Sequence, residues 1–74
     1  MAKLPSLTPE QIIRIVEKKG FVLDRTKGSH HIYYNSETRR RAVIPLHKKD
    51  LAKGTLLEIL KQAAISKEEL EELH

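Results

Sequence analysis

The segment best suited to chemistry runs from Lys27 to His31, where two histidines directly follow the Gly28-Ser29 pair at the start of a predicted strand. Imidazole titrates near neutral pH, so a positioned histidine can accept the proton of a ribose 2′-hydroxyl or donate one to a leaving 5′-oxygen. RNA supplies its own nucleophile in such a reaction, which needs only an acid or base and nearby cations. A polar strand edge without chemistry is the alternative interpretation of the same segment.

Basic residues flank this segment on both sides. Antiparallel pairing brings the next predicted strand towards the middle one, so cations from both neighbours are expected near the histidines. The candidate phosphate-binding residues are Arg25 and Lys27 before the turn and Arg39, Arg40 and Arg41 after it. A solvated basic face without specificity is the alternative, although such a face would still attract phosphate.

Four further residues are candidates for contact with RNA. Tyr33 or Tyr34 can stack on a base, and because side chains alternate along a strand, one of the two is expected in the core. Ser29 and Lys48 are additional candidate contacts. His47, beside Lys48, is interpreted as a loop residue.

The charge distribution favours a phosphate-bearing partner. Residues 24–53 carry eight Lys or Arg against three acids, whereas residues 66–74 carry one Lys and four Glu. A basic middle of this kind is typical of domains that meet nucleic acid.

A metal site, a cofactor and a membrane anchor are not expected. His30 and His31 are adjacent on an extended strand and point to opposite faces, and no carboxylate cluster completes a ligand set. The chain has no cysteine, no apolar run of signal-peptide length and nothing near the ~20 apolar residues of a membrane span. A cytoplasmic location is therefore expected.

Length and periodicity predict one small α+β domain. The 74 residues suffice for a single domain, taken as 1–74 with residues 1–7 flexible. Capping signals and apolar spacing predict helices over about 9–19 and 53–64, with a short third helix after Ser66. Three β-rich runs lie between them, separated by hairpin-length turns. They are Phe21 to Thr26, His30 to Asn35 and Arg41 to Leu46.

This order gives α-β-β-β-α with a short C-terminal helix. The predicted fold is a three-stranded antiparallel sheet with the helices on one face, similar to a double-stranded-RNA-binding domain. Topology alone fixes no activity, because one scaffold can serve as a shape reader, an interaction module or a nuclease.

Several separated motifs resemble those of the HicA toxin family, in the same order. They are Gly28-Ser29-His30-His31-Ile32-Tyr33, similar to G-S-H-x-x-[FY]; Val43-Ile44-Pro45-Leu46-His47, similar to V-x-P-x-H; and Leu51 to Ala63, similar to a helix entry of the form L-x-x-G-T-x-x-x-I-L-x-x-A. The resemblance extends roughly from Ile12 to Leu70.

The resemblance implies a metal-independent endoribonuclease that cuts mRNA and is inhibited by a HicB-type antitoxin covering the active site. The family's catalytic histidine maps onto His30, with His31 as second choice. Alternation puts His30 on the side of Ile32 and Tyr34, which favours His31 as the exposed histidine if Ile32 is a core residue. A bulge or the adjacent turn can re-aim His30, and the family pattern is given more weight than the alternation. A non-catalytic module that binds RNA or an antitoxin on the same fold is the alternative function.

Overall fold

The computed structural model describes residues 4–47 and 49–73 and contains three helices and three strands. In chain order they are α1 (Pro9–Lys18), β1 (Val22–Lys27), β2 (His30–Asn35), β3 (Arg40–Pro45), α2 (Lys53–Ala63) and α3 (Lys67–Leu73). The predicted α-β-β-β-α order with a short C-terminal helix is confirmed. The bounds differ by one or two residues, since Phe21 precedes β1 and Leu46 follows β3.

Local capping signals place α1 and α3 where the sequence predicted them. The Gln11 amide donates to Thr8 Oγ1 at 3.2 Å and the Thr8 amide donates to Gln11 Oε1 at 2.9 Å, which closes a capping box. Ser66 and Glu69 form the same reciprocal pair at the start of α3. Hydrogen bonding from the Lys19 ammonium lowers the pKa of the Glu69 carboxyl, and this contact ties α3 to the end of α1.

The three strands form an antiparallel sheet in the order β1-β2-β3. The helices cover one face, against Tyr33, Ala42 and Ile44, and the opposite face carries His30, Ile32 and Tyr34 of β2. We call this uncovered side the open face. The core draws on every helix and on the covered side of the sheet: Leu7, Ile12, Ile15, Val16, Phe21, Tyr33, Ala42, Ile44, Leu51, Leu56, Ile59, Leu60, Ala63, Ile65 and Leu70.

The segment before α1 contributes to this core. The side chain of Leu7 is fully buried, and its carbonyl accepts a hydrogen bond of 2.7 Å from the Leu51 amide. Residues 4–7 therefore pack against the domain, although the sequence predicted flexibility for residues 1–7; residues 1–3 lie outside the described part of the chain. The physical reason is that the apolar Leu7 side chain is buried in the core and its carbonyl is hydrogen-bonded to the backbone of Leu51.

Asn35 joins the end of α1 to the turn between β2 and β3. Its Nδ2 donates to the Lys19 carbonyl at 3.0 Å, and its Oδ1 accepts from the amides of Glu37 and Thr38 at 2.9 and 3.2 Å. Asn35 is the one buried polar residue of the described chain. Its side chain thus satisfies backbone groups on two elements that are distant in sequence.

Replacing Asn35 by alanine should lower the free energy of unfolding by about 1 to 3 kcal/mol, because the Lys19 carbonyl and two turn amides lose their partner. Urea unfolding followed by circular dichroism measures the change. Ser36→Ala, at the exposed next position, is the matched control and should change stability by less than about 0.5 kcal/mol. Equal unfolding midpoints for the two variants would contradict the role given to Asn35.

No helix in the described ranges combines the length and the apolar character needed to cross a membrane.

Candidate active site

A two-residue turn positions the start of β2. Lys27 of β1 pairs with His30 of β2, so Gly28 and Ser29 form the whole loop. Gly28 has a φ of +60°, which a type II′ hairpin turn requires at its first central residue. A side chain at Gly28 would meet no atom within 4 Å, so its constraint is the backbone angle and not space. The predicted β runs end at Thr26 and begin again at His30, which leaves three residues between them; the observed turn is one residue shorter because Lys27 belongs to β1.

His30 lies on the open face and is exposed. Its register partners are Lys27 on β1 and Pro45 on β3. Side chains directly opposite one another on antiparallel strands have Cβ atoms about 4.5 to 5.5 Å apart. The imidazole of His30 therefore has an ammonium-bearing side chain beside it and solvent above it.

His31 points to the other side of the sheet. It pairs with buried Ile44, and its ring centroid lies 6.4 Å from that of the core residue Tyr33. Its Nδ1 is buried and has no hydrogen-bond partner among the described residues. Ile32 is not a core residue, so the condition under which alternation favoured His31 is not met. His30 is exposed on the open face without re-aiming, and His31 is half-buried on the covered side.

Arg25 is the second cation near His30. It pairs with Ile32, one position along the open face, and both Arg25 and Lys27 are exposed. The register shifts between Leu23 and Arg25, which leaves Asp24 at a bulge, and the Arg25 Nε lies 3.5 Å from the Asp24 carboxylate. The guanidinium remains largely open to solvent, so it is available to a phosphate.

The three consecutive arginines lie at the other end of the sheet. Arg40 pairs with Asn35 and Arg41 with Tyr34, because antiparallel pairing sets the start of β3 against the end of β2. Arg40 and Arg41 are thus four or five residues from His30 along β2, a distance of about 13 to 17 Å. Arg40 donates from Nη1 to the Gln62 carbonyl near the end of α2 at 3.4 Å, and Arg39 occupies the turn with a φ of 60°.

The expectation that this triplet would join His30 in one cluster is therefore not met. Arg41 shares the open face with His30, whereas Arg40 is on the side of α2. The cations beside His30 come from β1.

The two tyrosines have different surroundings. Tyr33 is 5% exposed, and burial, together with the charge of Glu17, raises the pKa of its phenol. A ring so enclosed has no face free for stacking, so Tyr33 does not fit the predicted contact with RNA. Tyr34 lies on the open face with the Arg41 guanidinium carbon 4.8 Å from its ring centroid.

The chain after β3 returns to the Gly28 turn. The Leu46 amide donates to the Ser29 carbonyl at 2.7 Å, which extends the pairing of β2 and β3 by one residue beyond His30 and Pro45. His47 follows and is exposed, so a second imidazole lies near the turn. The interpretation of His47 as a loop residue is confirmed, since it lies two residues after the end of β3 and outside every helix and strand. Lys48, the last predicted contact, lies outside the described residues.

The site is a surface and not a cavity. A cavity of about 220 Å³ lies between α1 and α3, lined by Gln11, Arg14, Ile15, Lys18 and Leu73. None of these residues belongs to the sheet. Over residues 4–47 and 49–73, no group of three or more His, Asp or Glu side chains has the arrangement of a metal site.

The fold and the site together define a small basic α+β domain that presents an imidazole beside a lysine on an uncovered sheet face. A comparison with known protein families matches residues 9–65 to the HicA toxin of bacterial toxin-antitoxin systems. This match covers well over half of the 74 residues, and the chain belongs to the HicA toxin family. The resemblance inferred from the sequence motifs is thereby confirmed. A search among curated proteins finds no significant match.

Membership of the family also identifies a kind of partner. A toxin of a toxin-antitoxin system is paired with an antitoxin, so family membership implies an antitoxin as the protein partner of this chain.

Proposed function

We propose that this toxin is an mRNA interferase, a metal-independent endoribonuclease that cuts mRNA in the cytoplasm. The observation that carries the proposal is the position of His30, exposed on the open face directly opposite Lys27. Because His30 and Lys27 lie opposite one another on neighbouring strands, the imidazole can reach the 2′-hydroxyl of a nucleotide while the ammonium group binds its phosphate.

In the proposed reaction His30 acts as general base or general acid. As base, its neutral imidazole takes the proton of the ribose 2′-hydroxyl while the 2′-oxygen attacks the adjacent phosphorus. The bond from phosphorus to the 5′-oxygen breaks, and that oxygen takes a proton from water and leaves as a 5′-hydroxyl, while the proton on His30 returns to solvent. The other product ends in a 2′,3′-cyclic phosphate.

Lys27 and Arg25 supply the charge that this step needs. Negative charge grows on the non-bridging phosphate oxygens as the 2′-oxygen adds, and fixed cations stabilise that state more than the ground state. Both side chains share the open face with His30, from positions opposite and diagonal to it. The proposed phosphate site is therefore built by β1 and β2, with the Gly28 turn holding the two strands in register.

Incubation of the free protein with single-stranded RNA in the presence of a chelator tests this function. We expect fragments with 2′,3′-cyclic or 3′-phosphate ends and 5′-hydroxyl ends, resolved by end-specific labelling. RNA that stays intact, or fragments with 5′-phosphates that form only when a divalent metal is added, would contradict the mechanism. Intact RNA that is nevertheless bound would favour the non-catalytic module.

The antitoxin partner is proposed to be of the HicB type and to cover the open face. Acidic or apolar groups placed over His30, Lys27 and Arg25 would match the charge of this surface and exclude RNA from it. Adding the purified antitoxin to the cleavage reaction should therefore stop cutting once there is one antitoxin binding site for each toxin molecule.

A further inference from the structure

Tyr34 and Arg41 form a cation-aromatic pair on the open face. They are register partners on β2 and β3, and the Arg41 guanidinium carbon lies 4.8 Å from the centre of the Tyr34 ring. The register partner of Tyr34 on the other side is Val22, whose side chain is 64% exposed. The aromatic ring and the guanidinium plane thus lie at the surface with an apolar neighbour.

Arg41 has no carboxylate partner among the described residues, whose ion pairs involve other cations. A guanidinium stacked on a ring keeps its charge and its outer face for a ligand. Unpaired RNA bases stack on aromatic rings and on arginine planes, which makes this pair suited to a base rather than to a phosphate alone.

The position of the pair relative to His30 fits one continuous strand of RNA. His30, Ile32 and Tyr34 follow one another on the same face, so the pair lies about 13 Å from His30 along β2. Ile32 lies between them, with Val43 on one side and Arg25 on the other. This surface combines apolar contact for bases with a cation at its edge for the backbone.

We propose that Tyr34 and Arg41 form a subsite for an unpaired nucleobase, one or two nucleotides away from the phosphate that is cut. The inference rests on the proposed function, because it takes the cut phosphate to lie at His30. The base stacks on the outer face of the Tyr34–Arg41 pair, and the RNA backbone follows β2 towards Lys27. The subsite then contributes to where the RNA is cut, while His30 determines whether it is cut.

Binding of short single-stranded oligoribonucleotides to the His30→Ala protein tests the subsite without cleavage. Tyr34→Leu in this background should weaken binding by roughly 5- to 150-fold, the measured worth of one stacked base. Tyr34→Phe keeps the ring and should bind like the parent. Arg41→Lys keeps the charge but loses the plane, and it should also weaken binding. Arg14→Lys on α1, away from the sheet, is the matched control and should have no effect.

A scan with one abasic nucleotide at successive positions then locates the recognised base. In the His30→Ala protein, an abasic nucleotide at one position should weaken binding. The same abasic nucleotide should have no further effect when Tyr34→Leu is added. Thermal unfolding verifies that each variant is folded. If the Tyr34→Leu protein does not fold, the Arg41→Lys protein is used in its place to test the subsite.

Failure of the subsite and failure of the proposed function give different results. The subsite would be wrong if the Tyr34→Leu and Arg41→Lys proteins cut RNA with the wild-type pattern and no abasic position changed binding. The proposed nuclease activity would be unaffected by that result. Binding that depends on Tyr34, by a wild-type chain that never cuts RNA, would overturn the nuclease and support the subsite.

Discussion

Replacing His30 by alanine should lower the rate of RNA cleavage by a factor of about 100 to 10,000, the usual contribution of a positioned acid-base group. The side chain is exposed on the open face, so its removal should leave stability within about 0.5 kcal/mol of the parent value. Single-turnover cleavage of a labelled oligoribonucleotide measures the rate, and urea unfolding verifies the fold. Loss of cutting with an unchanged unfolding midpoint is the expected pair of results.

His31→Ala is the matched control for this experiment, since the two residues are neighbours of the same type on opposite faces. His31 lies half-buried on the covered side, away from the proposed phosphate position. We expect the His31→Ala protein to cut RNA within a few-fold of the wild-type rate. If it is folded but inactive while His30→Ala still cuts, the catalytic assignment passes to His31.

Replacing Ile44 by alanine should have the largest effect on stability. Ile44 is fully buried on the covered face, and truncating a buried isoleucine typically costs about 2 to 5 kcal/mol. A core of this size rarely supplies more than about 3 to 5 kcal/mol in total. The variant should therefore be largely unfolded at room temperature, as measured by circular dichroism and urea titration.

Val43→Ala provides the comparison for Ile44, because it removes methyl groups from the adjacent residue of β3 on the open face. Val43 is 37% exposed, so we expect a loss of less than about 1 kcal/mol. Similar losses at the two positions would show that the open face is covered in solution, contrary to the structure.

The sequence predicted those features that depend on neighbouring residues. The capping signals that predicted α1 and α3 act within a few residues, and both capping boxes are present. The order of the motifs was equally informative about the family, because the spacing of motifs along the chain can be read without knowing the tertiary structure.

Features that depend on pairing between distant residues were harder to predict. The arginine triplet was expected near His30, and only the register of β2 with β3 shows that it lies at the far end of the sheet. Whether His30 or His31 faces solvent depended on which side the helices cover, which strand alternation alone does not specify. The hydrogen bond from Asn35 to the Lys19 carbonyl was not anticipated, since Lys19 belongs to a different element.

The contact between α2 and β3 limits how this sheet can grow. Gln62 Oε1 accepts a hydrogen bond of 2.9 Å from the Val43 amide, so a side chain occupies an outward-facing donor of β3, and Pro45 has no amide to offer. These two features disfavour pairing of a strand from another molecule along β3, and the bulge at Asp24 interrupts the regular ladder along β1. Both edges of the sheet therefore disfavour the edge-to-edge pairing by which sheets from different molecules associate.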